Sequence, residues 1–433
     1  MAREQIDKLT VGGTFTTRRR LFETDKAAGQ MLLQKAKLGK LSALCICKGD
    51  SHAVPMTIVS KDNSYHLRRL PLKGSQHHQD CVSYGGINER AEKIYTDDAI
   101  WEVDDKVLVR VDGPLSELKN AREREPAGVP RGPATERQRR GSMSLLGLLN
   151  YLWEEAQINI WRPGMAGKRW YGKVRALLLE QCASRFFADG QAMPNKVFVV
   201  APSSKKTPFD NDAALKSHLA ALNPDPESDV THFGLVIGEI KRLIEPRAGQ
   251  SSSGIVLDGM DGAPLWDNHR VLKRLDDSFE YQLARHRARA QGDTSNDYRL
   301  FGIFSVALNK KGDGFVLKQG AVMESSQRFI PIASDCEGKV ERKLVDEGRA
   351  FEKPLVYDGE RSFFPDFYLL DTALTKKPVL EVYGYSGDKY EAQKRAKHVE
   401  YVRTRTPYWY WDVKLSPHDI PSFDQFPPRR SAQ

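Results

Sequence analysis

The stretch that decides the fold is residues 363–384: Phe363-Phe364-Pro365-Asp366-Phe367-Tyr368-Leu369-Leu370, a polar turn from Asp371 to Lys377, and Pro378-Val379-Leu380-Glu381-Val382-Tyr383-Gly384. Both apolar runs are short, rich in aromatic and branched residues, and divided by turn-forming residues, which predicts two strands and a hairpin. Working outward, Lys339 to Phe351 carries Val340, Leu344 and Val345 at helical spacing. Asp388 to Arg405 reads as a long charged helix and Tyr408 to Val413 as a closing strand. The expected order is helix, strand, strand, helix, strand. A hairpin with Asp366 in one strand and Glu381 in the next sets two carboxylates side by side. Magnesium is held by one or two such carboxylates plus waters and phosphate oxygens. A divalent ion there can polarise a phosphodiester and acidify the attacking water.

With Pro365-Asp366 in one strand and Glu381 in the next, this frame resembles the restriction-endonuclease-like PD-(D/E)XK nuclease superfamily. The resemblance implies an αββαβ core, with Asp366 and Glu381 as ligands of Mg2+ or Mn2+. It implies Glu341, on the preceding helix, as the additional acidic residue that many members use. The family pattern places lysine two residues after the glutamate, and here that residue is Tyr383. Some members recruit a basic residue from the next helix, where Lys389, Lys394 and Lys397 are available with Gln393 among them. Lys389, in the first turn, is the first choice; it shares a face with Gln393, as Gln393 does with Lys397. Residues 380–402 also resemble the very-short-patch-repair-like branch in their Glu-x-x-Gly step, without that branch's Gly-x-x-His spacing.

A second constellation lies near the other end. Cys45-x-Cys47 is followed by His77-His78-Gln79-Asp80-Cys81, with strand-like runs Val54 to Val59 and Ser64 to Leu67 between them. Two thiols two residues apart can reach one ion, and a hairpin can return a His-x-x-x-Cys pair to close a tetrahedron. Cys45, Cys47, His77 and Cys81 are the expected ligands of a structural Zn2+, with His78 as the alternative histidine and His52 and His66 further afield. The opening Cys-x-Cys resembles the SWIM-type zinc finger, which ends in Cys-x-His; here the histidine comes first.

The composition frames both sites. A chain of 433 residues predicts a multi-domain α/β protein. The zinc-binding domain is expected at 1–118, a basic Pro/Gly-rich linker at 119–142, an α/β domain at 143–335 and the nuclease-like domain at 336–433. In the α/β domain, helices are expected over Ser144 to Ile160, Arg169 to Ala188 and Leu272 to Gln291. Strands are expected at Lys196 to Val200 and Phe233 to Ile240, with a hairpin at Leu300 to Leu308 and Gly314 to Met323. Trp153, Trp161, Trp170 and Tyr171 could stack on bases, although their helical spacing favours the core. Hydrophobic residues at 40% and charged residues at 28% describe a folded chain. Five cysteines cannot all pair, so metal is preferred to disulfides. No apolar run approaches a membrane span and no signal core follows Met1, which predicts a cytoplasmic location without a membrane partner. The formal charge of +9 favours nucleic acid, DNA first, as partner.

Over most of its length the chain also resembles a family of proteins from bacterial conjugative elements, in which a Cys/His cluster precedes an α/β region; that resemblance implies no activity. The leading expectation is a metal-dependent DNA nuclease in mobile-element transfer, repair or defence. The alternative is a nucleic-acid-binding or scaffolding protein on a degenerate nuclease fold, for which Tyr383 speaks. A nucleotide-dependent enzyme ranks last, because no Gly-x-x-x-x-Gly-Lys-Ser/Thr loop is present.

Overall fold

Gly234–Ile244 shows how the sequence builds the centre of the molecule. Its run of apolar residues does not alternate with polar ones, because both faces of the strand are covered: Leu235 and Ile237 enter one apolar cluster, Val236 and Ile240 another. The computed structural model describes residues 7–61, 64–69, 76–78, 81, 83, 99–103, 106–113, 115–118, 142–202, 208–225, 227–246, 252–267, 270–292, 298–355, 365–384 and 388–428. The linker expected at 119–142 lies outside them except for Ser142. Helices and sheets are mixed along the chain, as an α/β protein requires. Among the described residues no helix is long and apolar enough to cross a membrane.

The first unit is a five-stranded antiparallel sheet, in the order Thr14–Thr17, Lys8–Val11, Ala43–Cys45, Val54–Lys61, Ser64–Arg69. The helix Lys26–Leu38 buries Leu33 and Ala36 in the same core as Cys45, Cys47 and Cys81. Strands Ile100–Val103 and Lys106–Val109 form an antiparallel pair, and the second also pairs in parallel with Arg185–Phe187.

The central sheet closes on itself. Gly234–Ile244 pairs with Ser253–Leu257, that strand with Leu265–Asp267, and Leu265–Asp267 in parallel with Phe315–Ser326. Phe315–Ser326 pairs with Tyr298–Leu308, which returns to the first half of Gly234–Ile244. The result is a five-stranded barrel with helix Arg270–Ala290 between its third and fourth strands. The expected hairpin is present, and Gly312 (φ 74°) takes the left-handed turn between its strands. Trp153 is fully buried, its Nε1 donating to the Phe329 carbonyl at 2.9 Å, and Trp161 is buried as well; Trp170 is 60% exposed.

The C-terminal sheet has five strands in the order Tyr408–Asp412, Val379–Tyr383, Phe367–Leu369, Phe351–Glu352, Ile160–Trp161. The first pair is parallel and the rest are antiparallel. Val340 and Leu344 of helix Asp335–Asp346 join its core with Trp409 and Trp411. The sequence extends this helix to Phe351, but it stops at Asp346. Gly348 (φ 68°) turns the chain in the left-handed region, and Phe351 opens an additional strand.

Candidate functional site

Cys45 ends a central strand, held in register by Leu9 on one side and Val54 on the other. The Gly49 N–H donates to the Ile46 carbonyl at 2.9 Å, and Gly49 at φ 95° permits the turn that carries Cys47. The Cys81 N–H donates to the His78 carbonyl at 2.8 Å, closing a turn that brings His77 and Cys81 together. The two turns meet. Cys45 Sγ lies 3.7 Å from Cys81 Sγ, and His77 Nδ1 lies 3.7 Å from Cys47 Sγ and 3.8 Å from Cys81 Sγ. All four ligand atoms are buried within 4.8 Å of one another. Tetrahedral zinc with bonds near 2.3 Å to sulfur requires sulfur–sulfur separations of about 3.8 Å, so the cluster fits a metal ion without rearrangement. Hydrogen bonds from the Cys45 and Cys81 thiols hold Cys47 well below the usual thiol range, and the His77 ring and the His78 N–H add to this. His78 therefore contributes its backbone rather than its ring, with its N–H 3.2 Å from Cys47 Sγ. His52 is exposed against Ser51 and His66 stacks on Phe22, so neither joins the set.

The carboxylate cleft lies on the C-terminal sheet. The register Phe367↔Leu380, carried one residue on, sets Asp366 across from Glu381. Asp366 Oδ2 accepts the Val382 N–H at 2.6 Å, which fixes the carboxylate at the strand edge. Glu381 is buried; Lys397 Nζ donates to its Oε2 at 2.8 Å and the Tyr401 hydroxyl to its Oε1 at 2.6 Å. Burial pushes the Glu381 carboxyl up to about 7; Lys397 opposes the shift and the Asp366 charge reinforces it.

A second cation enters from the far side. Lys353 Nζ lies 2.7 Å from Glu337 Oε2 and 3.7 Å from Asp366 Oδ1. Burial works against the Lys353 charge, but Glu337 and Asp366 outweigh it and its pKa is raised. Burial also raises Glu337, against the pull of Lys353. Among the described residues only the Cys/His set gathers three or more such ligand atoms within 4.8 Å; the three acidic groups here flank an ammonium instead.

A family model described as protein of unknown function (DUF1173) matches residues 15–414. The chain belongs to the DUF1173 family. The matched span takes in both the Cys/His cluster and the carboxylate cleft of this DUF1173 protein. No curated protein matches the chain.

Several residues expected at the DUF1173 cleft are placed elsewhere. Glu341 is fully buried against Ser326 Oγ (3.1 Å) and Arg328 (3.3 Å); the helix glutamate that faces the cleft is Glu337, one turn earlier. Lys394 pairs with Asp412 and lies over the Tyr383 ring, 5.0 Å from its centroid. Gln393 is exposed. The Lys389 side chain lies outside the described residues. The helix lysine that reaches Glu381 is Lys397, a full turn before Tyr401 on the same face. Tyr383 shares the Glu381 face of its strand, and its hydroxyl lies 2.6 Å from that of Tyr408. Lys353, Glu337 and Tyr401 were not signalled by the sequence motif. Lys353 follows a two-residue strand too short to show a period, and Glu337 sits at helical spacing from Glu341 and cannot be told from it by pattern alone.

Proposed function

We propose that this protein is a divalent-metal-dependent nuclease that hydrolyses DNA phosphodiester bonds on a restriction-endonuclease-like core. The observation that carries the reading is Lys397 at 2.8 Å from Glu381, with Asp366 at the residue just before the adjacent strand Phe367–Leu369, rather than inside it as the sequence predicts. The helix thus supplies, in space, the cation that the Tyr383 substitution removes from the strand. The antiparallel strands, the parallel closing strand and the helices before and after them agree with that core.

Asp366 and Glu381 would hold the ion; burial raises Glu381, the Asp366 charge adds to the shift, and a cation between the two carboxylates would relieve both. When bound, a divalent ion supplies charge to the phosphate and acidifies a water. The chain's own groups do the rest. Lys397 and Lys353 would supply positive charge to a phosphate held beside these carboxylates. Tyr401 and the Val382 N–H hold the two carboxylates in place. We further propose that the Cys45, Cys47, His77, Cys81 site holds zinc as a structural ion, since a closed set of four protein ligands leaves no open position.

One observation favours the alternative, a nucleic-acid-binding protein on a degenerate fold: the cleft carboxylates are already engaged by Lys353, Lys397 and Tyr401. Incubation with single- and double-stranded DNA, with magnesium, manganese or EDTA, separates the two. Cleavage that needs the metal and is lost in Asp366→Ala and Lys397→Met is expected. Cleavage that survives Asp366→Ala, or none with either metal, refutes the nuclease reading.

A further inference from the structure

The barrel in the middle of the chain carries a binding surface of its own. Numbering its strands one to five from Gly234–Ile244, the closed order is 1-2-3-5-4-1, with a parallel pair between three and five and a helix between three and four. The first strand is long, pairing through its first half with strand four and through its second half with strand two. That connectivity is the one of the five-stranded Greek-key barrel that binds oligonucleotides across strands two and three. Connectivity alone assigns no ligand, so the argument turns on what stands on that face.

The two sides of this barrel differ. Leu235, Ile237, Phe301, Ile303 and Met323 are covered by the cluster that includes Leu148 and Leu178. On the opposite side Trp266, in the third strand, is 41% exposed and lies over Gly254 of the second, where an added Cβ would meet the indole at 3.2 Å. Glycine at that point lets the indole lie flat against the sheet. Val256, which also faces outward by register, is fully buried, so the exposed floor of this face is Trp266 itself.

Cations flank it. Arg242, opposite Val256, is exposed and makes no ion pair among the described residues. Lys310 and Lys311 are exposed in the loop that leads into the strand beside Trp266. Of the nearby acids, Glu245 is held by Arg287 at 2.8 Å and Asp261 by Lys241 at 2.8 Å, while Asp313 accepts from Asn309 at 2.7 Å. A flat exposed indole flanked by exposed cations suits a base stacked over a phosphate backbone. A duplex, with its bases stacked inward, cannot use the indole in that way.

We infer that the face around Trp266, Arg242, Lys310 and Lys311 binds single-stranded nucleic acid by stacking and phosphate contacts. The inference stands apart from the nuclease reading, since it uses none of the cleft residues. The full chain is titrated, in EDTA and low salt, against fluorescein-labelled single strands of about 16 nucleotides as DNA and as RNA, and against the matching duplex. Trp266→Ala should weaken single-strand binding about tenfold, and Trp266→Phe should restore most of it. Lys310→Glu with Lys311→Glu should weaken binding and flatten its salt dependence. The polymer bound more tightly, DNA or RNA, identifies the ligand. EDTA withholds the ion that cleavage would need, so a failure of cleavage stays distinct from a failure of binding. Wild-type affinity in Trp266→Ala, absence of single-strand binding at low salt, or a preference for duplex overturns the inference.

Discussion

Replacing Glu381 by Gln gives a change in stability whose size and pH range can be worked out from the cleft. Burial holds this carboxyl at about 7, against an ordinary value of 4.5. At about 1.4 kcal/mol for each tenfold in proton affinity, the difference corresponds to roughly 3 kcal/mol. Below pH 4.5 the group is protonated whether the chain is folded or not, and contributes nothing. Between 4.5 and 7 the folded protein keeps the proton and the unfolded chain releases it. Stability should therefore fall as pH rises through that window and level off above it. Gln has no proton to lose, so wild type and Glu381→Gln should diverge with rising pH by up to about 3 kcal/mol in favour of the variant. Loss of the Lys397 bond shifts the whole Glu381→Gln curve without altering its slope in this window. Urea unfolding of both proteins from pH 4.5 to 8.5, in EDTA, gives the comparison; the difference between the two curves cancels the titration of other groups. Parallel curves, or a wild type that gains on the variant as pH rises, would refute the burial argument.

Three further outcomes are expected. Cys47→Ser should lower bound zinc well below one ion per chain and lower the melting temperature of the purified protein, since binding energy in such sites is folding energy; elemental analysis checks it. Lys353→Met strands two carboxylates and should cost about 3–5 kcal/mol in urea unfolding, and adding Glu337→Gln should recover part of that loss. Gly338→Ala drives a Cβ into the buried Tyr298 ring and hydroxyl, so either that ring or helix Asp335–Asp346 must shift, at about 1–3 kcal/mol, which thermal and urea unfolding would show.

The parts of the fold that were legible in the sequence are those whose signal is local. The Glu381 strand, the closing strand and the long helix are found within a residue or two of the expected ends, because apolar runs bounded by turn residues define them. The Cys/His set was legible because thiols two residues apart can reach one ion only in a few ways. Glu341 and Glu337 stand one helical turn apart, and only the packed position of the helix decides which of them meets Lys353. Three of the barrel's strands were legible as separate segments, the Gly234–Ile244 strand and the hairpin, but their closure into a barrel was not. Its closure depends on Gly234 pairing with Val306 and on a parallel contact of two residues, Leu265 and Trp266 against Phe315 and Val316. No periodicity within one segment encodes either.

The C-terminal sheet borrows its outermost strand, Ile160–Trp161, from far upstream, and the Lys353 backbone is tied to Asn159 on both sides, donating to its carbonyl at 2.9 Å and accepting from its amide at 2.8 Å. A fragment cut out from 336 onward would expose the Phe351–Glu352 edge to other chains and release the backbone that aims Lys353 into the cleft. During synthesis the cleft cannot be completed until the chain through Tyr401 has left the ribosome, although its edge strand Ile160–Trp161 is made long before. The carboxylate cleft thereby needs segments from both ends of the span 160–412, and a chain ending before Val379 would carry the barrel and the Cys/His cluster but no cleft.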